Sequence, residues 1–154
     1  LKTHEMKTHY SFRLIILFFG ILICGSVVHA QDAPPAKPIQ FESSDTLLVV
    51  WSSGDPELAE KVCFMYAYNA KKWAWFKEVI FVVWGPSQKL LAENEKLQEG
   101  IEKMKEIGMI VEACVACARM YGVDEDLREM DIDVKGMGTV LTKYLKAGYP
   151  NITF

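Results

Sequence analysis

The chain has 154 residues and a formal net charge of −3; with no run of basic residues there is no electrostatic footprint for nucleic acid or anionic lipid, and neither is expected as a partner. Its three histidines (His4, His9, His29) all lie in the first 30 residues, so the remainder can build neither a Ser-His-Asp or Cys-His catalytic pair nor a histidine-ligated zinc site. Cysteine is the strongest nucleophile left in that remainder.

Along the chain, Lys2, Lys7 and Arg13 precede the apolar run LIILFFGILIC from Leu14 to Cys24, and Val28-His29-Ala30 ends on a small residue. Residues 1–30 therefore read as a signal peptide cleaved near Ala30. The run is shorter than the roughly 20 apolar residues that span a bilayer, so export to the periplasm without a membrane anchor is expected. Removing three cations (Lys2, Lys7, Arg13) and one anion (Glu5) with this segment takes the net charge from −3 to −5. Residues 31–45, QDAPPAKPIQFESSD, combine three prolines with polar residues and read as a flexible Pro-rich tether. The folded domain is expected over residues 46–154.

TLLVVW (Thr46 to Trp51) and EVIFVVW (Glu78 to Trp84) are short β-branched and aromatic runs without polar alternation, the pattern of strands covered on both faces in a parallel sheet. Between them Asp55 is a helix N-cap and Pro56 suits the first helical position of PELAEKVCFMYAYNAKKW, whose Leu58, Val62, Met65, Tyr66 and Asn69 share a face expected to be the inner one. The unit repeats. Ser87 reads as the cap of a helical stretch; ENEKLQEGIEKMKEIG carries the stripe Leu97, Ile101, Met104, Ile107 and ends at Gly108; MIVEA is a third strand, followed by two short helices, CVACARMY and DEDLREM. DIDVK reads as a fourth strand, MGTVLTKYLKAG as a helix with Val140, Leu141, Tyr144 and Leu145 inward, and NITF as a fifth strand.

Strands alternating with helices imply an α/β fold: a three-layer, flavodoxin-like sandwich around an open parallel sheet of about five strands. Ligands of such sheets sit beyond the carboxyl ends of the strands. The segments that fall there are Ser52-Ser53-Gly54-Asp55, Gly85-Pro86-Ser87, Cys114 to Cys117 and Gly136-Met137-Gly138, which makes Ser52, Ser53, Trp84, Gly85 and Gly138 candidate pocket-lining residues.

Cys114, where the third strand hands over to a helix, is the candidate nucleophile, because free N–H groups and the positive helix end favour a thiolate. Cys117, one helical turn on, lies within disulfide range and is a candidate resolving thiol; packing as small apolar residues or a static disulfide is the competing structural reading. CxxC also suits two zinc ligands, but Cys63, in the middle of the first helix, reads as core, so no metal is expected. Ser52-Ser53-Gly54 resembles a phosphate-cradling turn in position, yet Asp55 competes with an anion for the helix N–H groups and no dinucleotide or P-loop fingerprint is present, so no cofactor is expected. Trp51, Trp73, Trp75 and Trp84 suit core or subunit interface; Glu112 raises the thiol pKa if it faces Cys114, and Arg119 lowers it if it reaches back.

SSGDPE after the first strand, VVWGPSQKLL after the second, EACVACARMYGV after the third and DVKGMGTVLTKYLKAGYPNITF at the end resemble the DsrE/DsrF-like family, which includes the TusD-type sulfur-relay subunits. The resemblance covers the chain from Thr46 onward. It implies a flavodoxin-like sheet, assembly as a homo-oligomer (trimer or hexamer), and a cysteine after the third strand that accepts sulfur as a persulfide and passes it to a partner protein. Cys114 matches that cysteine; Cys117 falls where relay subunits carry alanine or another small residue, although CxxC variants occur in the wider family. Export to an oxidising compartment raises the weight of thiol redox chemistry. The expectation is thus an exported protein carrying persulfide sulfur, or exchanging thiol for disulfide, at Cys114; the alternative is a non-catalytic oligomeric module that binds a small ligand and has a structural CxxC.

Overall fold

The computed structural model describes residues 45–154. The expected signal peptide, and all of the expected tether but Asp45, lie outside the described residues. Five strands form one sheet in which every pairing is parallel: β1 (Thr46–Trp51), β2 (Glu78–Val83), β3 (Ile110–Cys114), β4 (Asp133–Lys135) and β5 (Asn151–Thr153), ordered β4-β3-β2-β1-β5. The two continuous apolar runs are β1 and β2, paired along their full length from Thr46↔Glu78 to Trp51↔Val83. With both faces covered, they have no use for polar alternation.

Asp55 opens the first crossover as the sequence suggests, accepting from the N–H groups of Glu57 (2.8 Å) and Leu58 (3.2 Å) with Pro56 in the first turn. The crossover runs as α1 (Pro56–Leu58), a π-helical segment (Ala59–Cys63) and α2 (Phe64–Lys72). Its inner face differs from the expected one: Ala59, Cys63, Phe64, Ala67 and Ala70 are buried, whereas Val62 and Met65 are 41% and 56% exposed. The reason is volume. Trp51 and Phe81 already fill the space above the sheet, so small alanines let the helix approach closely while Phe64 meets Trp51 edge-on at 5.0 Å and Phe81 at 5.3 Å.

The remaining helices are α3 (Pro86–Ala92), α4 (Glu95–Glu106), α5 (Val115–Tyr121), α6 (Asp124–Glu129) and α7 (Met137–Lys146). Leu97, Ile101 and Met104 of α4 are buried as the stripe requires, and Gly108 closes that helix at φ +80°, a conformation open to glycine. Val140, Leu141 and Tyr144 of α7 pack inward, but Leu145, expected inward as well, is 48% exposed.

The strand pleat sends alternate residues to two cores. Leu47, Val49, Trp51, Val79, Phe81, Val83, Val111, Ala113 and Val134 share one core with Ala59, Leu91, Leu97, Ala118 and Leu127 of the crossovers after β1, β2 and β3. Leu48, Val50, Ile80, Val82 and Cys114 face the other way, toward Met137, Val140, Leu141 and Tyr144. These are the three layers of a flavodoxin-like α/β/α sandwich. They also locate its crevice. The chain after β3 packs residues into the first core and the chain after β4 packs on the second, so at the adjacent ends of β3 and β4 the connections part to opposite faces, which is where open α/β sheets leave room for a ligand.

The tightness of the first core sets a test. A Cβ on Gly100 meets the Phe64 ring at 2.7 Å, and that ring is held between Trp51 and Phe81. Gly100→Ala is expected to lower the unfolding free energy by about 1–3 kcal/mol in urea titration, as overpacking does; an unchanged or raised midpoint contradicts the packing described.

Candidate functional site

Cys114 is the last residue of β3 and the N-cap of α5, in extended backbone (φ −82°, ψ 112°). Because residues 110, 112 and 114 share a strand face, its side chain lies on the α7 face, in the core that also holds Cys117, Met137 and Trp84. Cys117, in the first turn of α5, turns the same way. The two thiols are in contact, both are buried and both are free, with no bridge between them. Cys63 is the other free cysteine among the described residues; it sits in the first core, and burial pushes its thiol up to about 12, which keeps it protonated and inert.

The surroundings of the two rim thiols are unequal. Cys117 packs in one core with Cys114, Met137 and Trp84. Burial and the neighbouring Cys114 push the Cys117 thiol upward, the Gly85 N–H and the Trp84 indole N–H act against them, and the balance stays above the ordinary thiol value. The turn that carries those donors is anchored from beneath by two wholly buried polar side chains. Ser87 Oγ donates to the Trp51 carbonyl at 2.6 Å and accepts from the Trp84 N–H at 3.1 Å. Gln88 Nε2 donates to the carbonyls of Val83 (2.9 Å) and Cys114 (3.0 Å). Ser87 therefore fastens the end of β1 to that of β2, and Gln88 fastens the end of β2 to that of β3.

Ser87 is not the expected helix cap. Gly85 is the N-cap of α3, without a side-chain cap bond, and Ser87 lies inside the helix. Gly85 adopts φ 69°, ψ −136°, a region that residues with a side chain rarely enter. The position open to a Cβ there is unobstructed, so it is backbone conformation and not space that calls for glycine.

Two residues below Cys114 on the same face, Glu112 is 3% exposed and accepts from Lys135 Nζ at 2.6 Å and Tyr144 Oη at 2.9 Å. Lys135, paired in register with Cys114, also reaches Asp133 at 2.7 Å. Burial works against the Lys135 charge, but its bonds to the two carboxylates outweigh it and the net shift is upward. Burial and the Glu112 carboxylate push Tyr144 up to about 12. Tyr144 in turn stacks on Tyr149, ring centres 5.6 Å apart. This cluster ties β3, β4 and α7 together under the thiols. Glu112 thus faces the side of the sheet that carries Cys114, with its charge already met by Lys135. Arg119 instead extends into solvent beside Asp124, at 3.9 Å.

The other expected pocket residues divide. Trp84 and Gly85 join the thiols; Gly138 lies in the first turn of α7, its carbonyl accepting from Thr142 Oγ1. Ser52 and Ser53 do not reach the cysteines. Their N–H groups and Ser52 Oγ donate to the carbonyl of Phe154, sealing β1 to the chain end, and Ser53 Oγ accepts from the Asp55 N–H. A cavity of about 210 Å³ is lined by Gly54, Pro86, Lys89, Leu90, Glu93 and Tyr121 and by neither cysteine. Among the described residues no group of three or more His, Cys, Asp or Glu is arranged to hold a metal. Sequence reading missed Gln88; its one trace was an uncharged polar residue where the helix needs a buried one.

Fold and site together define an open, all-parallel α/β protein with a dithiol at its strand-end crevice. No family model and no curated protein matches the chain. It is similar to a solved structure described as a conserved protein of unknown function from Bacteroides thetaiotaomicron: 33% identity, TM-score 0.69, over 71% of this chain and 95% of that one. The chain belongs to the same family as that protein.

The cluster under the thiols predicts alkaline lability. Tyr144 and Lys135 hold their protons more tightly when folded than in an unfolded chain, so the stability they add is full below pH about 10, the ordinary range of both groups, and is lost as pH rises through their raised folded values. The denaturation midpoint is expected to fall steadily above pH 10, and Tyr144→Phe to make that fall shallower; a slope unchanged in the variant contradicts the assignment.

Proposed function

We propose that the chain is a sulfur-handling thiol protein that accepts sulfur as a persulfide on Cys114 and passes it on, or releases it by thiol–disulfide exchange with Cys117. The observation that carries this reading is the meeting of two unbridged thiols on one face of the sheet, at the ends of β3 where the crevice opens.

In the first step the Cys114 thiolate attacks the terminal sulfur of a donor persulfide; the donor's S–S bond breaks, and its thiolate leaves with the electron pair. Cys114 then bears the sulfur. Likeness to the DsrE/DsrF-like relay proteins at EACVACARMYGV agrees with this role and extends to a trimer or hexamer that meets donor and acceptor proteins; action outside the cytoplasm rests instead on the signal-peptide pattern of residues 1–30.

Intact mass after treatment of the reduced protein with polysulfide tests the proposal. Cys117→Ser is expected to gain a single sulfur removable by dithiothreitol, and Cys114→Ser none at this site by peptide mapping. A sulfur that maps equally to Cys63, or no sulfur on either variant, contradicts it.

A further inference from the structure

Glu112 is 3% exposed in the middle of β3, a position that an apolar residue fills at far less desolvation cost. Its Oε1 accepts from both Lys135 Nζ, at 2.6 Å, and Tyr144 Oη, at 2.9 Å, while its Oε2 is buried without a partner. A carboxylate buried in this way needs a reason, and the register of the sheet supplies one. β4 pairs Asp133 with Glu112 and Lys135 with Cys114. Paired residues of parallel strands lie about 4.8 Å apart and raise their side chains on the same face. The bond from Lys135 to Glu112 fixes that face as the one that carries Cys114. The lysine stem thus rises beside the Cys114 side chain, while Glu112 and, at 2.7 Å, Asp133 hold its ammonium and occupy two of its three N–H groups. The other titratable groups on this face are Tyr144, with Tyr149 stacked on it, and Cys117; β2 and the turn after it add Ile80, Val82 and Trp84, and Arg119 lies in solvent beside Asp124. Lys135 is therefore the cation that the fold fixes on the face of the rim thiols.

We infer that Lys135 is the counter-charge for anionic sulfur at Cys114, and that Glu112 positions its ammonium and limits how much of that charge the sulfur feels. This rests on the sulfur-handling reading and deepens it. Negative charge falls on Cys114 Sγ twice in a cycle. It does so when the thiolate attacks the donor, and again when an acceptor thiolate attacks the terminal sulfur, the bond from that sulfur to Sγ breaks, and Sγ leaves with the electron pair. A cation already in place stabilises both without reorganising, and it acts through space, without touching the sulfur. The two partners act in opposite senses, since an opposite charge favours a thiolate and a like charge disfavours it. Asp133, the second acceptor, is 61% exposed, so water screens it more than it screens Glu112.

The test uses the full chain with Cys117→Ser, so that Cys114 reacts without its neighbour, and follows Cys114 by peptide mapping, with buried Cys63 as the internal control for folding. Glu112→Gln keeps an acceptor for Lys135 and Tyr144 but removes the negative charge. The first measurement is alkylation by iodoacetamide at pH 7, which requires no sulfur donor. Glu112→Gln is expected to react severalfold faster. Adding Lys135→Met to that variant, which strands no carboxylate on β3, is expected to slow it about tenfold, and Lys135→Arg in the same background to keep most of the rate. The second is single-turnover thiocyanate formation from polysulfide-loaded protein, in which cyanide takes the terminal sulfur and the Cys114 thiolate leaves; the same order is expected. A cluster that served packing alone would move the two substitutions in the same direction. Rates that stay equal, or that fall in Glu112→Gln, overturn the counter-charge even if Cys114 loads. Alkylation in the expected order while Cys114 never loads keeps the counter-charge and overturns the sulfur-handling reading.

Discussion

Ser87 Oγ lies 2.6 Å from the Trp51 carbonyl and 3.1 Å from the Trp84 N–H, wholly out of water. With Gln88 beside it, this bond set links the carboxyl ends of β1, β2 and β3, the three strands that deliver the functional rim. Each buried bond adds about 1 kcal/mol net, yet losing one partner strands a buried carbonyl at a cost of about 1–3 kcal/mol. That asymmetry makes the rim rigid. A turn held in this way keeps Gly85 at its positive φ and Trp84 packed beside the two cysteines.

The sheet was legible because parallel strands buried on both faces write themselves as unbroken apolar runs, as in TLLVVW and EVIFVV. Helix caps encoded locally, such as Asp55, were equally plain. The inner face of the first crossover helix was not, since burial there follows the space that Trp51, Phe64 and Phe81 leave rather than the size of the helix residues. Ser87 shows the same limit at the site. A serine after Gly-Pro has the local signature of a cap, and only the neighbouring end of β1 gives its hydroxyl a different partner.

For the site, sequence favoured Cys114 over Cys117, since a strand end and a helix start are local features. The structure makes the pair more equal and less alike. Cys114 keeps its place at the strand end, while Cys117 packs in one core with Trp84, from a turn some thirty residues earlier in the chain. No spacing rule within CxxC encodes that contact. Beneath both, Lys135 and Tyr144 bond to one carboxylate oxygen of Glu112 while its other oxygen is buried without a partner, so the thiols sit above a paired carboxylate rather than a free one. The relative from Bacteroides thetaiotaomicron is 33% identical over 95% of its length and is described as of unknown function; the functional argument therefore stands on the two sulfurs and what surrounds them.

The central claim, that Cys114 and Cys117 form one reversible dithiol apart from Cys63, is tested most directly by equilibrating the protein in dithiothreitol buffers of graded potential and alkylating the remaining thiols for peptide mapping. The account predicts one two-electron transition in which Cys114 and Cys117 are lost together and Cys63 stays a thiol throughout. Independent titration of the two, or a disulfide that includes Cys63, would contradict it.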